Sequence, residues 1–147
     1  MTENTARMLI AEAKRARENA YTPYSHFAVG AALLGESGKV YLGCNVENGA
    51  FSPTICAERG AFARAICDGE RSFRAIAVVG GAADGEIRGG VSPCGVCRQV
   101  MSEFCGEDFE IVFADGSVRT LAELLPAAFG LCNNATALPL ALDGGLR

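Results

Sequence analysis

Three cysteines and one glutamate carry the chemistry legible in this chain. Thr54-Ile55-Cys56-Ala57-Glu58-Arg59 is followed by Ser92-Pro93-Cys94-Gly95-Val96-Cys97, so three thiolates and one carboxylate can be offered to a single metal ion. Three protein ligands leave the fourth position of a tetrahedral zinc open, which separates a catalytic site from a closed structural one. Cys94 and Cys97, three residues apart, share one face of a helix and can bind the same ion.

The local pattern places Cys56 and Cys94 each one residue into a helix, after a Thr54-Ile55 or a Ser92-Pro93 start. Unpaired amides and the positive end of the helix dipole favour thiolate over thiol there. Glu58, two residues after Cys56, lies roughly 200° round a helix of about 3.6 residues per turn. It therefore meets the same site only off the helix tip, where a water on the metal is its natural target. Three thiolates overcompensate Zn²⁺, and Arg59, on the face of Cys56, can donate to them and offset the excess. Glu58 then supplies a proton acceptor.

Blander readings exist for each feature. A Cys-x-x-Cys by itself fits a redox pair, which the third cysteine and Glu58 argue against. A closed four-cysteine zinc recruiting Cys44 lacks the usual two close pairs. Cys67, about 16 Å along the helix from Cys56 at ~1.5 Å per residue, cannot share the ion. Cys67, Cys105 and Cys132 are expected as small core residues, and His26, the one histidine, as a turn residue.

Helices and strands alternate around these residues. An amphipathic helix is expected over residues 3–20, and an apolar strand over Phe27–Leu34. A short turn leads into a second strand over Val40–Glu47. A helix from about Ile55 to Cys67 follows, capped by Thr54. Further strands are expected over Arg74–Gly80 and Glu110–Ala114, a glycine-rich surface connection over Gly80–Gly90, and a helix with Ser92 as cap and Pro93 at its first position. Ser117-Val118-Arg119 reads as a short extension, and Leu121–Ala128 as a last helix. The order implies an α/β domain of three layers, α-β-α, around a mixed sheet of about five strands. It occupies residues 1–130, with 131–147 a tail that shows no period. Asn45 and Glu47, two apart on the second strand, project to the same face and suit the hydroxyls of a sugar.

Composition narrows the partners. At 147 residues with 50% apolar and 20% charged residues, the chain can bury one core unaided. Its net charge of -4 disfavours a nucleic-acid partner. There is neither a secretory start nor an apolar run of membrane-spanning length, and seven cysteines without such a start point to reduced thiols in the cytoplasm. No membrane partner is expected.

Four motifs in order resemble the cytidine deaminase family, in its small homotetrameric class. They are Pro23-Tyr24-Ser25-His26-Phe27 with Val29-Gly30-Ala31-Ala32, Cys44-Asn45-Val46-Glu47-Asn48, Cys56-Ala57-Glu58-Arg59, and Pro93-Cys94-Gly95-Val96-Cys97-Arg98-Gln99. The resemblance spans roughly residues 20–130. It implies the cytidine deaminase-like fold and the zinc-dependent hydrolytic deamination of cytidine and 2′-deoxycytidine, releasing ammonia, in pyrimidine salvage. It implies one Zn²⁺ per chain on Cys56, Cys94 and Cys97, with Glu58 relaying a proton from water to the pyrimidine ring nitrogen and then to the departing amine, as is known of zinc deaminases at large. Asn45 and Glu47 would bind the ribose, Phe27 would stack near the base, and the Ala57 amide would orient the ring. The resemblance also implies a homotetramer with shared active sites, Phe129 reaching a neighbour's site. A deaminase of nucleoside-like antibiotics would share the zinc motif, but Asn45-Val46-Glu47 and Arg59 favour a plain nucleoside. A non-catalytic zinc or thiol protein would show no hydrolysis.

Overall fold

A computed structural model describes residues 1–130 of the protein; the tail over 131–147, and Cys132 within it, lie outside the described residues. The chain runs α1 (Glu3–Arg17), β1 (Phe27–Gly35), β2 (Val40–Cys44), α2 (Ala57–Cys67), β3 (Phe73–Ala82), β4 (Ile87–Arg88), α3 (Gly95–Phe104), β5 (Glu110–Phe113), β6 (Val118–Thr120) and α4 (Leu121–Leu124). The strands form one mixed sheet in the order β2-β1-β3-β5-β6, with β4 paired to the end of β3. β1 lies antiparallel between β2 and β3, while β3 and β5 are parallel and joined through α3. The three-layer α/β architecture expected from the element order is thus present, with β4 as a sixth strand.

Alternation along the strands divides the core in two. Ala32 and Leu34 of β1 and Ala75, Ala77 and Val79 of β3 pack with Leu9 and Ala13 of α1. Their odd-numbered or even-numbered neighbours, Ala31, Leu33, Ile76 and Val78, face Ala61 and Phe62 of α2 and Cys97 and Met101 of α3. Small side chains on the α1 side let that helix lie close. A methyl group at Gly30 would stand 2.0 Å from the Ala13 carbonyl oxygen. Large rings fill the other side, where Phe62 meets Phe73 edge-on at 4.9 Å and stacks on Phe104 at 5.8 Å. Burying one such side chain contributes ~1.5–3 kcal/mol. This second layer carries both cysteine-bearing helices.

Both of those helices begin two residues later than the sequence suggests. Cys56 and Cys94 are extended, with ψ of 153° and 166°, and are the caps themselves. Thr54 and Ser92 are spent elsewhere, since the Thr54 hydroxyl accepts from the Asn48 amide and the Ser92 hydroxyl from Arg98. The other bounds shift by similar amounts: α1 stops at Arg17, α4 at Leu124, and β2 at Cys44. Beyond β2 the Asn45 side chain continues the ladder, accepting from Val29 N–H at 2.8 Å and donating to the Phe27 carbonyl at 2.9 Å. Val46 bridges Tyr21 on one side and Ile55 on the other. The glycine-rich connection is not featureless, because it holds β4 against Gly80 and Gly81. A side chain at Gly81 would meet the Glu86 carbonyl oxygen at 2.2 Å. Cys67 does not join the core; it is exposed at the last position of α2, and Cys105 is half-buried. His26 adopts a left-handed turn conformation with φ of 54°, as expected of a turn residue.

Candidate active site

The carboxyl end of β3, the start of β1 and the N-termini of α2 and α3 open on one crevice, where ligands of open α/β sheets are generally bound. Cys56 at the head of α2 and Cys94 and Cys97 at the head of α3 bring their sulfurs within 4.8 Å of one another. Cys56 Sγ stands 3.8 Å from Cys94 Sγ, and Cys94 Sγ 3.5 Å from Cys97 Sγ. A tetrahedral zinc with Zn–S bonds of ~2.3 Å requires sulfur separations of about 3.8 Å. The donor set and its spacing therefore fit a zinc ion, and the three cysteines are positioned to hold one.

The electrostatics favour anionic sulfur at this place. The Cys56 thiol is lowered to about 5, foremost by a hydrogen bond from Cys97, then by the Arg59 guanidinium, against the cost of burial. Cys97, only 1% exposed, is pushed up by the same bond because it retains the proton that Cys56 gives up, and by burial. A cation held by the three sulfurs would take the place of that shared proton. Arg59 Nη2 donates to the Thr54 carbonyl oxygen at 2.8 Å and stands 3.9 Å from Cys56 Sγ, so the contact expected of it is present on one thiol. Its Nε is buried and has no partner among the described residues.

Glu58 is 4% exposed, the one buried charged side chain among the described residues. Burial raises its carboxyl above the usual range, and the neighbouring Cys56 charge raises it further. It lines a pocket of about 250 Å³ together with Cys56, Ala57, Cys94, Phe27 and Asn45. A buried carboxylic group beside three cysteines, its pKa raised by burial, is placed to take up and release a proton.

A family model for the cytidine and deoxycytidylate deaminase zinc-binding region matches residues 3–113. The chain belongs to this deaminase family. It is 57% identical over 125 residues to a cytidine deaminase of Sporosarcina psychrophila, covering 82% of this chain and 88% of that one. It is 48% identical over 126 residues to a cytidine deaminase of Halalkalibacterium halodurans, covering 83% and 92%. Among solved structures, the crystal structure of cytidine deaminase from Burkholderia pseudomallei superposes with a TM-score of 0.75 at 48% identity, over 88% of this chain and all of that one. Cytidine deaminase from Mycobacterium tuberculosis gives 0.75 at 41% identity, over 84% and 96%.

Within this deaminase fold the remaining expected residues fall into two neighbouring hollows. Phe27 and Asn45 share the pocket of Glu58, and the Arg88 guanidinium lies 5.6 Å from the centre of the Phe27 ring. Glu47 instead lines an adjoining hollow of about 410 Å³ with Tyr24, Ser25 and Phe51, and Thr54 borders both. Its Oε2 accepts from the Tyr24 and Ser25 amides at 3.0 and 3.2 Å, and Ser25 holds the carboxyl below its ordinary range. Asn45 and Glu47 thus do not share a strand face as the alternation rule suggested, because β2 ends before them. Phe129 is 64% exposed, its carbonyl accepting from Gln99 Nε2 at 2.8 Å. Sequence reasoning missed Val29, Val78, Val91 and Ser92 as walls of the pocket. Only tertiary folding brings them together. The Pro93-Cys94 motif could have pointed to Ser92.

Proposed function

We propose that the protein hydrolyses the exocyclic amine of cytidine and 2′-deoxycytidine, giving uridine or 2′-deoxyuridine and ammonia. The reading rests above all on Glu58, a carboxyl held out of water in the same small pocket as the three-cysteine cluster. Zinc on Cys56, Cys94 and Cys97 supplies, when bound, the Lewis acidity that makes water a nucleophile at neutral pH. Glu58 would take a proton from the water that attacks C4 and deliver it to the ring nitrogen, then carry the proton of the new C4 hydroxyl to the amine as the C4–N bond breaks and the C4 carbonyl forms. Its raised pKa suits a group that must both accept and donate. Arg59 compensates negative charge at Cys56.

The volume near Glu58, about 250 Å³, lies below the ~300–1,000 Å³ of ordinary ligand pockets, and suits a single pyrimidine ring. Phe27 offers that ring a face, and the Ala57 amide, at the first position of α2, a donor. The sugar then leans toward the adjoining hollow, where Glu47 keeps Oε1 free of bonds to the described residues, and Asn45 keeps its second amide hydrogen. Assembly as a homotetramer, in which Phe129 completes a neighbour's site, is supported by the exposed apolar groups Tyr21, Tyr24, Val46, Phe51 and Phe129. A cytoplasmic location accords with thiol chemistry; among the described residues no helix is long and apolar enough to cross a membrane.

The test is metal content together with the ultraviolet change on adding cytidine, deoxycytidine and cytosine separately. One zinc per chain with loss of both nucleosides is the expected result. Zinc present with no loss of any amino-pyrimidine overturns the reading.

A further inference from the structure

Arg98 directly follows a zinc-site cysteine, yet its guanidinium turns away from the pocket. Nε donates to the Pro93 carbonyl oxygen at 2.8 Å, Nη1 to the Leu124 carbonyl oxygen at 2.6 Å, and Nη2 to the Ser92 hydroxyl at 3.0 Å. Its own backbone N–H donates to the Cys94 carbonyl at 3.0 Å. The Pro93 carbonyl belongs to the peptide that enters Cys94, so holding it fixes the plane from which the Cys94 side chain departs. Leu124 ends α4, a helix too short to satisfy its own last carbonyls. Gln99, the next residue, holds the Phe129 carbonyl. The strap therefore runs from the zinc turn to a segment beyond residue 113, where the family match ends.

We propose that Arg98 is a positioning residue for the zinc centre, locking the Pro93–Cys94 peptide to the end of α4 and tying zinc retention to residues 121–129. The proposal rests on the zinc-deaminase reading above. One planar, permanently charged fork serves three acceptors from two separate segments, which a lysine, with a single flexible donor head, cannot reproduce. Arg98 touches neither pocket, so its effect passes through Cys94.

The experiment follows zinc release from purified holoenzyme into an excess of a chromogenic chelator, for wild type, Arg98→Lys, Ser92→Ala and Val112→Ala. Removing a partner that orients a metal ligand typically costs roughly 10- to 100-fold in metal affinity, and Arg98→Lys is expected to release zinc faster by that factor. Ser92→Ala, which removes one anchor of three, is expected to accelerate release less. Val112→Ala, in the core layer against α1, lowers the unfolding temperature but leaves the release rate at the wild-type value. Wild-type release from Arg98→Lys, or equal acceleration by Val112→Ala, overturns the proposal. Should Arg98→Lys fail to fold, Ser92→Ala decides: several-fold faster release supports the strap and an unchanged rate overturns it. The wild-type zinc content, measured first, judges the deaminase reading separately, and a wild-type chain unable to hold zinc overturns both.

Discussion

Cys56 Sγ and Cys94 Sγ stand 3.8 Å apart although 38 positions separate them in the chain, and each residue caps its own helix. A cap has extended backbone, so its side chain projects over the helix end and not along the barrel. Two such caps, backed by a common sheet, can meet at a point that neither helix axis reaches.

Zinc retention should depend on Cys97, the buried member of this cluster, and be indifferent to Cys67, which lies outside it. Cys97→Ala is expected to lose bound zinc and activity together. Cys67→Ser, at the exposed end of α2, is expected to keep both. Elemental analysis of the purified variants checks this, and a Cys97→Ala chain with full zinc content contradicts the ligand assignment.

The distance from α2 to the sheet is set at Gly43. A methyl group there would lie 2.1 Å from the Ala57 carbonyl oxygen and 2.5 Å from the Ala61 amide. Gly43→Ala must push back the turn that carries Cys56 and Glu58, at a cost of ~1–3 kcal/mol, and should lower kcat/KM as well as stability. Gly60→Ala meets nothing closer than 3.7 Å and lies inside α2, so it should be neutral or stabilising by up to ~1 kcal/mol. Thermal unfolding and initial rates on the two variants distinguish them; equal behaviour contradicts the close-packing argument.

The grouping of the three cysteines, the place of Glu58 beside them and the mixed sheet were legible from the sequence because their signals are local: fixed spacings and runs of apolar residues. The helix starts were misplaced because Thr54 and Ser92 are good caps by residue type, and only tertiary contacts to Asn48 and Arg98 show that they are engaged elsewhere. Asn45 eluded the alternation rule for a similar reason, since its amide pairs with backbone 16 and 18 positions away. Cys67 read as core because composition does not tell which side of a helix end is covered. Arg98 stands in the fourth motif, but the sequence does not show what its guanidinium bonds, because Leu124 is brought to Ser92 and Pro93 only by folding.

Alkaline stability should report Cys105. Burial pushes its thiol up to about 12 from an ordinary 9.0. The folded state keeps the proton while the unfolded chain releases it, so this group's stabilising contribution is intact below pH ~9 and is lost as pH rises toward ~12. Between pH 9 and 10 the loss is on the order of 1 kcal/mol. Urea unfolding of wild type and Cys105→Val at pH 7 and pH 10 should show wild type losing more stability than the variant. Parallel losses contradict the assignment.

Glu58→Gln tests the account most directly. The amide preserves size and burial but cannot accept a proton from water. The expected result is one zinc per chain with turnover of cytidine reduced by at least ~10²–10⁴-fold. A zinc-loaded Glu58→Gln protein that deaminates cytidine at a near-normal rate contradicts the assignment of Glu58 as the proton carrier.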